Sequence, residues 1–137
     1  MQRTLPAVID AVQRAQAGRL VLVSVFGAGD TLEKASGFAR LVYRSALRRF
    51  LADKAAADAL LTRSGIDHTI VYPVNLKDAP ALPSAAVKRL EEIATVPGLP
   101  TLPYANAGAA IAEIATGPTY SGQRVVVTTP TGWKSAR

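Results

Sequence analysis

The sequence predicts an α/β fold in which about three parallel strands form a partial sheet with helices on both faces. Three short apolar runs, residues 19–26, 69–72 and 123–129, carry this prediction. Each run is rich in β-branched residues and lacks regular alternation with polar ones, which is typical of strands covered on both faces. Segments with helical periodicity separate the runs, and such crossovers favour parallel pairing with a right-handed connection.

The chain opens with an amphipathic helix over residues 5–17. Its apolar residues recur at three- and four-residue spacing, and Pro6 suits the first turn. Gly18 ends this helix, and the first strand, residues 19–26, follows at once. The turn at 27–30, with the sequence Gly-Ala-Gly-Asp, breaks the strand.

Residues 36–63 have helical periodicity in two pieces. An apolar stripe in this segment predicts a face that packs on the core: Phe38, Leu41, Val42, Ser45, Ala46, Phe50 and Leu51. Arginines at positions 40, 44, 48 and 49 recur on what should be the solvated face, and the alternative is a helix that docks on a polyanion such as a cofactor phosphate. In the second piece, Lys54 and Asp58 are four residues apart and predict an ion pair on the helix surface.

The rest of the chain is organised around residues 64–76. Gly65 closes the preceding helix, and residues 69–72 form the second strand. Pro73 ends this strand because proline has no N–H to donate to a sheet. Open parallel sheets bind ligands outside the carboxyl ends of their strands. Residues 72–76 are therefore the predicted location of the functional site.

The remainder of the chain predicts less regular structure. Ser84 is expected to cap a helix, although the segment 87–96 also fits an extended crossing. The proline-rich segment 97–103 is predicted to be irregular. Asn106 is expected to cap a further helix, which Gly117 ends. The third strand follows at 123–129, and residues 133–137 are expected to form a tail.

The composition, with 49% hydrophobic and 19% charged residues, indicates a globular single domain over residues 1–137. The absence of cysteine excludes disulfides, and His68 as the single histidine argues against zinc, so no metal is predicted. The net charge of +6 lacks the aromatic–basic alternation of nucleic-acid-binding proteins. No apolar run is long enough to span a bilayer. We expect a cytoplasmic protein that binds neither nucleic acid nor membrane.

Three motifs, in order, resemble the second half of an atypical short-chain dehydrogenase/reductase. They are the strand and turn at 21–28, the segment Ser-Gly-Ile-Asp-His-Thr-Ile-Val-Tyr-Pro at 64–73, and the strand at 125–128. Lys54 and Asp58 lie between the first two motifs. The most similar branch is the NAD(P)H-binding, NmrA-like and flavin- or biliverdin-reductase-like group. The resemblance covers about residues 5–129 and implies a three-layer, Rossmann-like fold.

The resemblance implies NAD(P)H as the cofactor, with its nicotinamide at the carboxyl ends of the first two strands. Lys54 would hydrogen-bond the nicotinamide ribose and is the catalytic candidate; alternatively, it is a surface lysine paired with Asp58. Tyr72 stands where the family has arginine, and it would line the nicotinamide pocket or simply cap the strand end. The implied cofactor-binding residues are Ser24, Val25, Phe26, Lys54, Tyr72, Pro73, Val74, Asn75 and Leu76.

Two departures from the family pattern matter. The Gly-rich turn that binds pyrophosphate is absent, because the turn at 27–29 lacks the third glycine and does not open a helix. We therefore expect the chain to correspond to the carboxyl-terminal half of the family's domain. The family's Tyr-x-x-x-Lys becomes Phe50-x-x-x-Lys54, and its catalytic hydroxyl falls near Val25 and Phe26. The usual proton relay is therefore not expected.

These features predict an NAD(P)H-dependent reductase of a flavin, quinone or similar small acceptor, because such hydride transfer depends mainly on positioning the cofactor. The alternative is an inactive fragment or a non-enzymatic, NmrA-like regulator that senses the cofactor. Without the missing half, the first strand would expose an unpaired edge. We therefore expect either a homo-oligomer or pairing with that half.

Overall fold

A four-stranded sheet forms the centre of this computed structural model, which describes residues 1–136. In chain order, the strands are β1 (Leu20–Val23), β2 (His68–Pro73), β3 (Asn75–Lys77), β4 (Ala86–Arg89), β5 (Ile93–Thr95), β6 (Thr101–Pro103), β7 (Arg124–Thr128) and β8 (Lys134–Ser135). The helices are α1 (Leu5–Arg14), α2 (Gly37–Ala46), α3 (Arg48–Arg63) and α4 (Tyr104–Thr116), with short 3-10 helices at Gly29–Lys34 and Leu90–Glu92. None of the helices in residues 1–136 combines the length and the apolarity needed to cross a membrane.

The central sheet has the strand order β1-β2-β7-β4. β1, β2 and β7 run parallel, with Leu22 opposite Ile70 and Val71 opposite Val125. These strands are the three apolar runs of the sequence, so the predicted α/β class and the parallel pairing are confirmed. β4 joins the sheet antiparallel to β7.

Both faces of the two inner strands are covered. Every residue of β2 from Thr69 to Pro73 is buried, as is every residue of β7 from Val125 to Thr128. Because successive side chains of a strand point to opposite faces, such continuous burial requires a layer on each side. α3 packs against β2, and α4 contacts β1, β2 and β7.

The helix predicted to begin at Ser84 is wrong, and the extended alternative forms instead. Residues 86–89 are β4, and residues 93–95 are β5. A short apolar pattern fits a strand as well as a helix, so the sequence does not distinguish the two. Pairing decides the outcome, because β4 satisfies N–H and C=O groups along the edge that β7 would otherwise leave open.

Two further segments are more regular than predicted. Within the proline-rich segment, residues 101–103 form β6, which pairs in parallel with β3. Within the predicted tail, residues 134–135 form β8, which pairs with β5, while Arg137 lies outside the described residues. Both strands are very short and their partners are distant in sequence, so local propensity carries little signal for them.

Asn106 does not cap α4 as predicted. The helix begins after Pro103 without a side-chain cap, and Asn106 lies inside it. The Asn106 amide instead donates to the Leu82 carbonyl at 2.9 Å and accepts from the Leu82 N–H at 2.8 Å. A single side chain therefore satisfies both backbone groups of a loop residue, which a local capping rule does not predict.

The predicted two-piece helix is confirmed by α2 and α3, but its buried stripe is wrong in part. Phe38 and Leu41 are each 67% exposed, and Phe50 is 49% exposed. Ala39 and Tyr43 form the buried face of α2 instead. The main contacts of α2 are with α3 and with the short 3-10 helix at Gly29–Lys34, and several of its apolar side chains remain at the surface.

Candidate functional site

The chain leaves β1 and β2 at the same edge of the sheet. The ladder of hydrogen bonds continues past the end of β1, because the N–H groups of Ser24 and Phe26 donate to the carbonyls of Val71 and Pro73 at 2.8 and 3.3 Å. The segments that follow the two strands therefore lie side by side. We call them the exit segments, residues 24–26 and 73–76.

Few side chains of the exit segments are open to a ligand. Asn75 is exposed, and Val25 and Leu76 are half-buried. The other members are buried: Ser24, Phe26, Pro73 and Val74. Pairing of β3 with β6 fixes the positions of Asn75 and Leu76. The accessible surface of the exit segments therefore combines one amide with apolar side chains and backbone groups.

Tyr43 of α2 covers the turn that follows β1. Its ring packs so closely on Gly27 that a Cβ atom added there would lie 3.0 Å from Tyr43 Cδ2. Burial raises the pKa of the Tyr43 hydroxyl, and a hydrogen bond with the Asn75 side chain acts in the opposite direction. Tyr43 is not among the site residues predicted from the sequence. The available signal was its position one helical turn after Ala39, on the same face of the helix.

We expect Gly27→Ala to lower the free energy of unfolding by about 1–3 kcal/mol. Gly27 has a φ of +101°, which strains any residue with a Cβ, and the new methyl group would collide with the Tyr43 ring. Gly108→Ala in α4 is the matched control, since the space around Gly108 is open and alanine favours a helix. Urea denaturation measures both variants, and an unchanged midpoint for Gly27→Ala would contradict the contact.

A set of linked polar side chains joins the first exit segment to α3, β2, β7 and the 3-10 helix at Gly29–Lys34. The Ser24 hydroxyl donates to Asp58 Oδ2 at 3.0 Å. The Tyr72 hydroxyl accepts from Arg124 Nε at 3.2 Å and lies near the Asp58 carboxyl group. Arg124 also donates to Asp30 through both of its terminal nitrogens. We call these five residues the polar network.

Burial is the main cause of the pKa shifts of Asp58 and Tyr72. Their hydrogen-bonded ion pair is the main cause of the shifts of Asp30 and Arg124. Burial raises the pKa of Asp58, and hydrogen bonds with Ser24 and Tyr72 and the charge of Arg124 act in the opposite direction. Burial and the charge of Asp58 also raise the pKa of the Tyr72 hydroxyl. The hydrogen bond between Asp30 and Arg124 lowers the pKa of Asp30 and raises that of Arg124. Asp30 is therefore the counter-ion of Arg124.

Lys54 lies outside the polar network, and its predicted ion pair with Asp58 is wrong. The Lys54 ammonium lies 3.6 Å from Met1 Sδ and 5.6 Å from the centre of the Phe50 ring. Asp58 turns away from it toward Ser24 and is only 8% exposed. Four-residue spacing places two side chains on neighbouring positions of a helix, but tertiary contacts decide where each one points. No hydrogen bond or ion pair within residues 1–136 joins Lys54 to the exit segments.

Tyr72 lies at the carboxyl end of β2, where it was predicted, but it offers no ring face to a ligand. Its side chain is fully buried. The Arg124 guanidinium lies 5.4 Å from the centre of its ring, and Arg124 Nε donates to its hydroxyl. The expectation that Tyr72 lines an open nicotinamide pocket is therefore corrected, because its side chain belongs to the core and the polar network.

An open cavity of about 350 Å³ lies beside the polar network. Asp58, Asp30 and Arg124 line it, together with small residues of the turn at 28–29 and of α3. The cavity gives solvent a route to Asp58, which is otherwise enclosed.

The residues present fit the nicotinamide end of NAD(P)H but not its phosphates. The exposed Asn75 amide can donate and accept hydrogen bonds, and the half-buried Val25 and Leu76 provide apolar contact. A pyrophosphate needs several backbone N–H groups at a Gly-rich turn that opens a helix, and the sequence contains no such motif. Residues 1–136 also contain no group of three or more histidine or acidic side chains placed to hold a metal ion.

Known proteins resemble this chain in fold and, for one family, in sequence. A family model described as NAD(P)H-binding matches residues 1–117. ChuY, an anaerobillin reductase from Escherichia coli O157:H7, is 26% identical with a TM-score of 0.71, over 93% of this chain and 57% of ChuY. A short-chain dehydrogenase/reductase from Veillonella parvula DSM 2008, solved with NADP, is 14% identical with a TM-score of 0.76. The match covers 97% of this chain and 60% of the V. parvula chain. A comparison with curated protein sequences found no match.

A candidate NADH-flavin reductase from Streptococcus pneumoniae TIGR4 is 15% identical with a TM-score of 0.67, over 94% of this chain and 67% of that one. The chain thus spans 57% to 67% of the length of these three proteins. Their common architecture confirms the Rossmann-like fold, and the family match confirms NAD(P)H as the predicted cofactor. On this match, over residues 1–117, the chain belongs to the NAD(P)H-binding family.

Proposed function

We propose that this chain is the nicotinamide-side part of an NAD(P)H-dependent oxidoreductase that reduces a small conjugated acceptor, such as a flavin or a quinone. The observation that carries the proposal is the side-by-side placement of the two exit segments in a chain of the NAD(P)H-binding family. Ligands of open parallel sheets bind at this edge. ChuY, an anaerobillin reductase, and the candidate NADH-flavin reductase of S. pneumoniae support the same class of reaction.

The exit segments have separate roles in this proposal. Asn75 would hydrogen-bond the polar group of the nicotinamide, while Val25 and Leu76 would contact its ring. Ser24, Phe26, Pro73 and Val74 are buried and would shape the backbone that the cofactor approaches. NAD(P)H, when bound, supplies the hydride for the reduction. We assign no contact to Lys54, because its ammonium lies against Met1 and Phe50.

The exposed apolar surface of α2 and α3 supports a conjugated acceptor with acidic groups. Phe38, Leu41 and Phe50 are at the surface, whereas Tyr43 on the buried side of α2 contacts Gly27 next to the exit segments. Exposed arginines lie on the same helices: Arg44, Arg48 and Arg49. Aromatic and arginine side chains together favour flat, anionic molecules. The contacts to the cofactor phosphates would come from residues outside this sequence.

We expect NADPH and nicotinamide mononucleotide to change the NMR signals of Val25, Asn75 and Leu76. Both ligands carry the nicotinamide, so both should act on the exit segments, and saturation transfer should mark the nicotinamide protons. Adenosine monophosphate is the matched control ligand, because the proposal assigns no adenosine contact to the exit segments. If neither nicotinamide ligand perturbs these signals, the proposed location of the site is wrong.

A second candidate function is a non-enzymatic, NmrA-like regulator that senses the cofactor. Two positions favour it, since Phe50 replaces the phenol of the family's relay and Phe26 lacks the family's hydroxyl. Both candidates bind the nicotinamide, so binding alone does not separate them. Steady oxidation of NADPH in the presence of a flavin or quinone would eliminate the regulator, whereas binding without turnover would eliminate the reductase.

A further inference from the structure

The helix α2 turns its most apolar face to solvent. At about 100° per residue, Phe38, Leu41 and Ser45 fall within an arc of about 60° on its surface. Phe38 and Leu41 are each 67% exposed. The buried residues of this helix, Ala39 and Tyr43, lie on the other side. An amphipathic helix of a globular domain normally buries its apolar face, so the outward orientation indicates that α2 contacts a partner through Phe38 and Leu41.

The apolar surface continues across the junction of α2 and α3. Ser45 lines an open cavity of about 470 Å³, and so do Leu47, Arg48, Arg49 and Phe50. Leu47 and Phe50 are themselves exposed. The outward face of α2 therefore adjoins the first turn of α3 through Ser45. We define the outer patch as Phe38, Leu41, Arg44, Leu47, Arg48, Arg49 and Phe50.

The outer patch is positively charged. Residues 34–52 contain five basic residues and no aspartate or glutamate. Arg44 is three residues after Leu41 and is therefore its neighbour on the helix surface. Within residues 1–136, no ion pair involves Arg44, Arg48 or Arg49. Two outer patches would bring like charges together, so charge argues against a second copy of this chain and favours an anionic partner.

The composition of the outer patch fits a lipid surface better than a folded protein. Helices that lie in the membrane interface combine phenylalanine and leucine on one side with lysine or arginine on the other. Their apolar side chains enter the headgroup region, while their basic side chains are attracted to anionic lipids. A protein interface requires a matching surface with close packing. A fluid bilayer adapts to side chains that protrude separately from two helices.

We propose that the outer patch docks this chain on an anionic lipid bilayer, with α2 in the plane of the headgroups. Phe38 and Leu41 enter the boundary between headgroups and acyl chains, and the three arginines contact the anionic groups. Such binding is peripheral and requires no helix that crosses the membrane. The expectation that the chain binds no membrane rested on the absence of a spanning run, which does not bear on a surface helix. The proposal does not depend on the reductase function.

Sedimentation with lipid vesicles tests the role of charge. The wild-type chain should bind vesicles of phosphatidylcholine with phosphatidylserine and should not bind phosphatidylcholine alone. Each basic residue near an anionic surface strengthens binding roughly fivefold, so changing Arg44, Arg48 and Arg49 together to glutamine should weaken binding roughly 100-fold. Lysine at the same three positions keeps the charge and should keep most of the binding.

The double variant Phe38→Ser and Leu41→Ser tests the apolar contribution. Loss of two side chains that enter the lipid should weaken binding at least about tenfold. Tyr104→Ser is the matched control, because Tyr104 is an exposed aromatic residue of α4, outside the outer patch. Lipids with a spin label on the headgroup should broaden the NMR signals of Phe38 and Leu41 and spare those of Tyr104. Unchanged urea midpoints would show that the variants remain folded.

Three results would overturn the proposal. The first is a wild-type chain that does not bind the anionic vesicles. The second is a Phe38→Ser and Leu41→Ser variant that binds them like the wild type, or binding that polyglutamate abolishes at the same charge concentration. Either would mean that the patch attracts any polyanion, including an acidic protein. The third is a change in the signals of Phe38 and Leu41 with flavin mononucleotide but not with vesicles, which would assign the surface to the acceptor.

Discussion

Replacing Tyr72 with alanine is expected to lower the free energy of unfolding by about 3–5 kcal/mol. Tyr72 is fully buried in the sheet, so its removal leaves a cavity that the surrounding layers fill only in part. The same change removes the acceptor of the Arg124 Nε–H. It also exposes Asp58 to a new, empty space in place of a phenol. The effect should therefore be among the largest of any single substitution in the chain.

Urea denaturation of Tyr72→Ala and Tyr72→Phe separates the ring from the hydroxyl. Phenylalanine keeps the ring and loses the hydroxyl, so this variant should lose only about 1–3 kcal/mol. Tyr104→Ala is the matched control, because Tyr104 is 58% exposed and its truncation should change the stability by about 0.5 kcal/mol or less. A loss below about 1 kcal/mol for Tyr72→Ala would contradict the buried position of this side chain.

The three parallel strands can be predicted from the sequence because strands buried on both faces are rich in apolar and β-branched residues. A short stretch of sequence is enough to recognise this composition. The run 69–72 is Thr-Ile-Val-Tyr and the run 123–129 is centred on three valines, and both lie in inner strands. The position of the site follows from the same reasoning, since parallel strands direct their carboxyl ends to one edge. The exit segments could therefore be predicted as the site without any knowledge of side-chain contacts.

Contacts between distant segments are what the sequence does not reveal. Ser84 and the residues after it fit a helix and a strand equally well, and only the open edge of β7 selects the strand. Asp58 reads as half of a surface ion pair, yet a partner 34 residues earlier, Ser24, draws it inward. Tyr43 has no relay spacing, and its role depends on the close approach of Gly27. Each of these outcomes is decided by tertiary packing, which a local pattern cannot encode.

We expect the free edge of β1 to cause self-association of the chain. β1 ends the strand order of the central sheet, and no strand within residues 1–136 pairs with its outer side. Val23 is 38% exposed at this edge. An apolar edge with free N–H and C=O groups favours pairing with another strand. We therefore expect the chain to form a dimer or larger assembly through β1, or to pair there with a further part of an NAD(P)H-binding sheet.

Val23→Lys should convert the assembly to monomers in sedimentation experiments. A lysine at the edge places one positive charge from each copy where the two strands would meet. Natural edge strands also carry lysine, which prevents pairing with other strands. The net charge of +6 already opposes close approach, but salt screens this repulsion beyond about 8 Å at physiological ionic strength, so it does not prevent contact at the edge. Val8→Lys is the matched control, because Val8 is similarly exposed (42%) but belongs to α1 and not to the sheet, and it should leave the assembly intact. A wild-type chain that sediments as a monomer and unfolds cooperatively would show that β1 needs no partner.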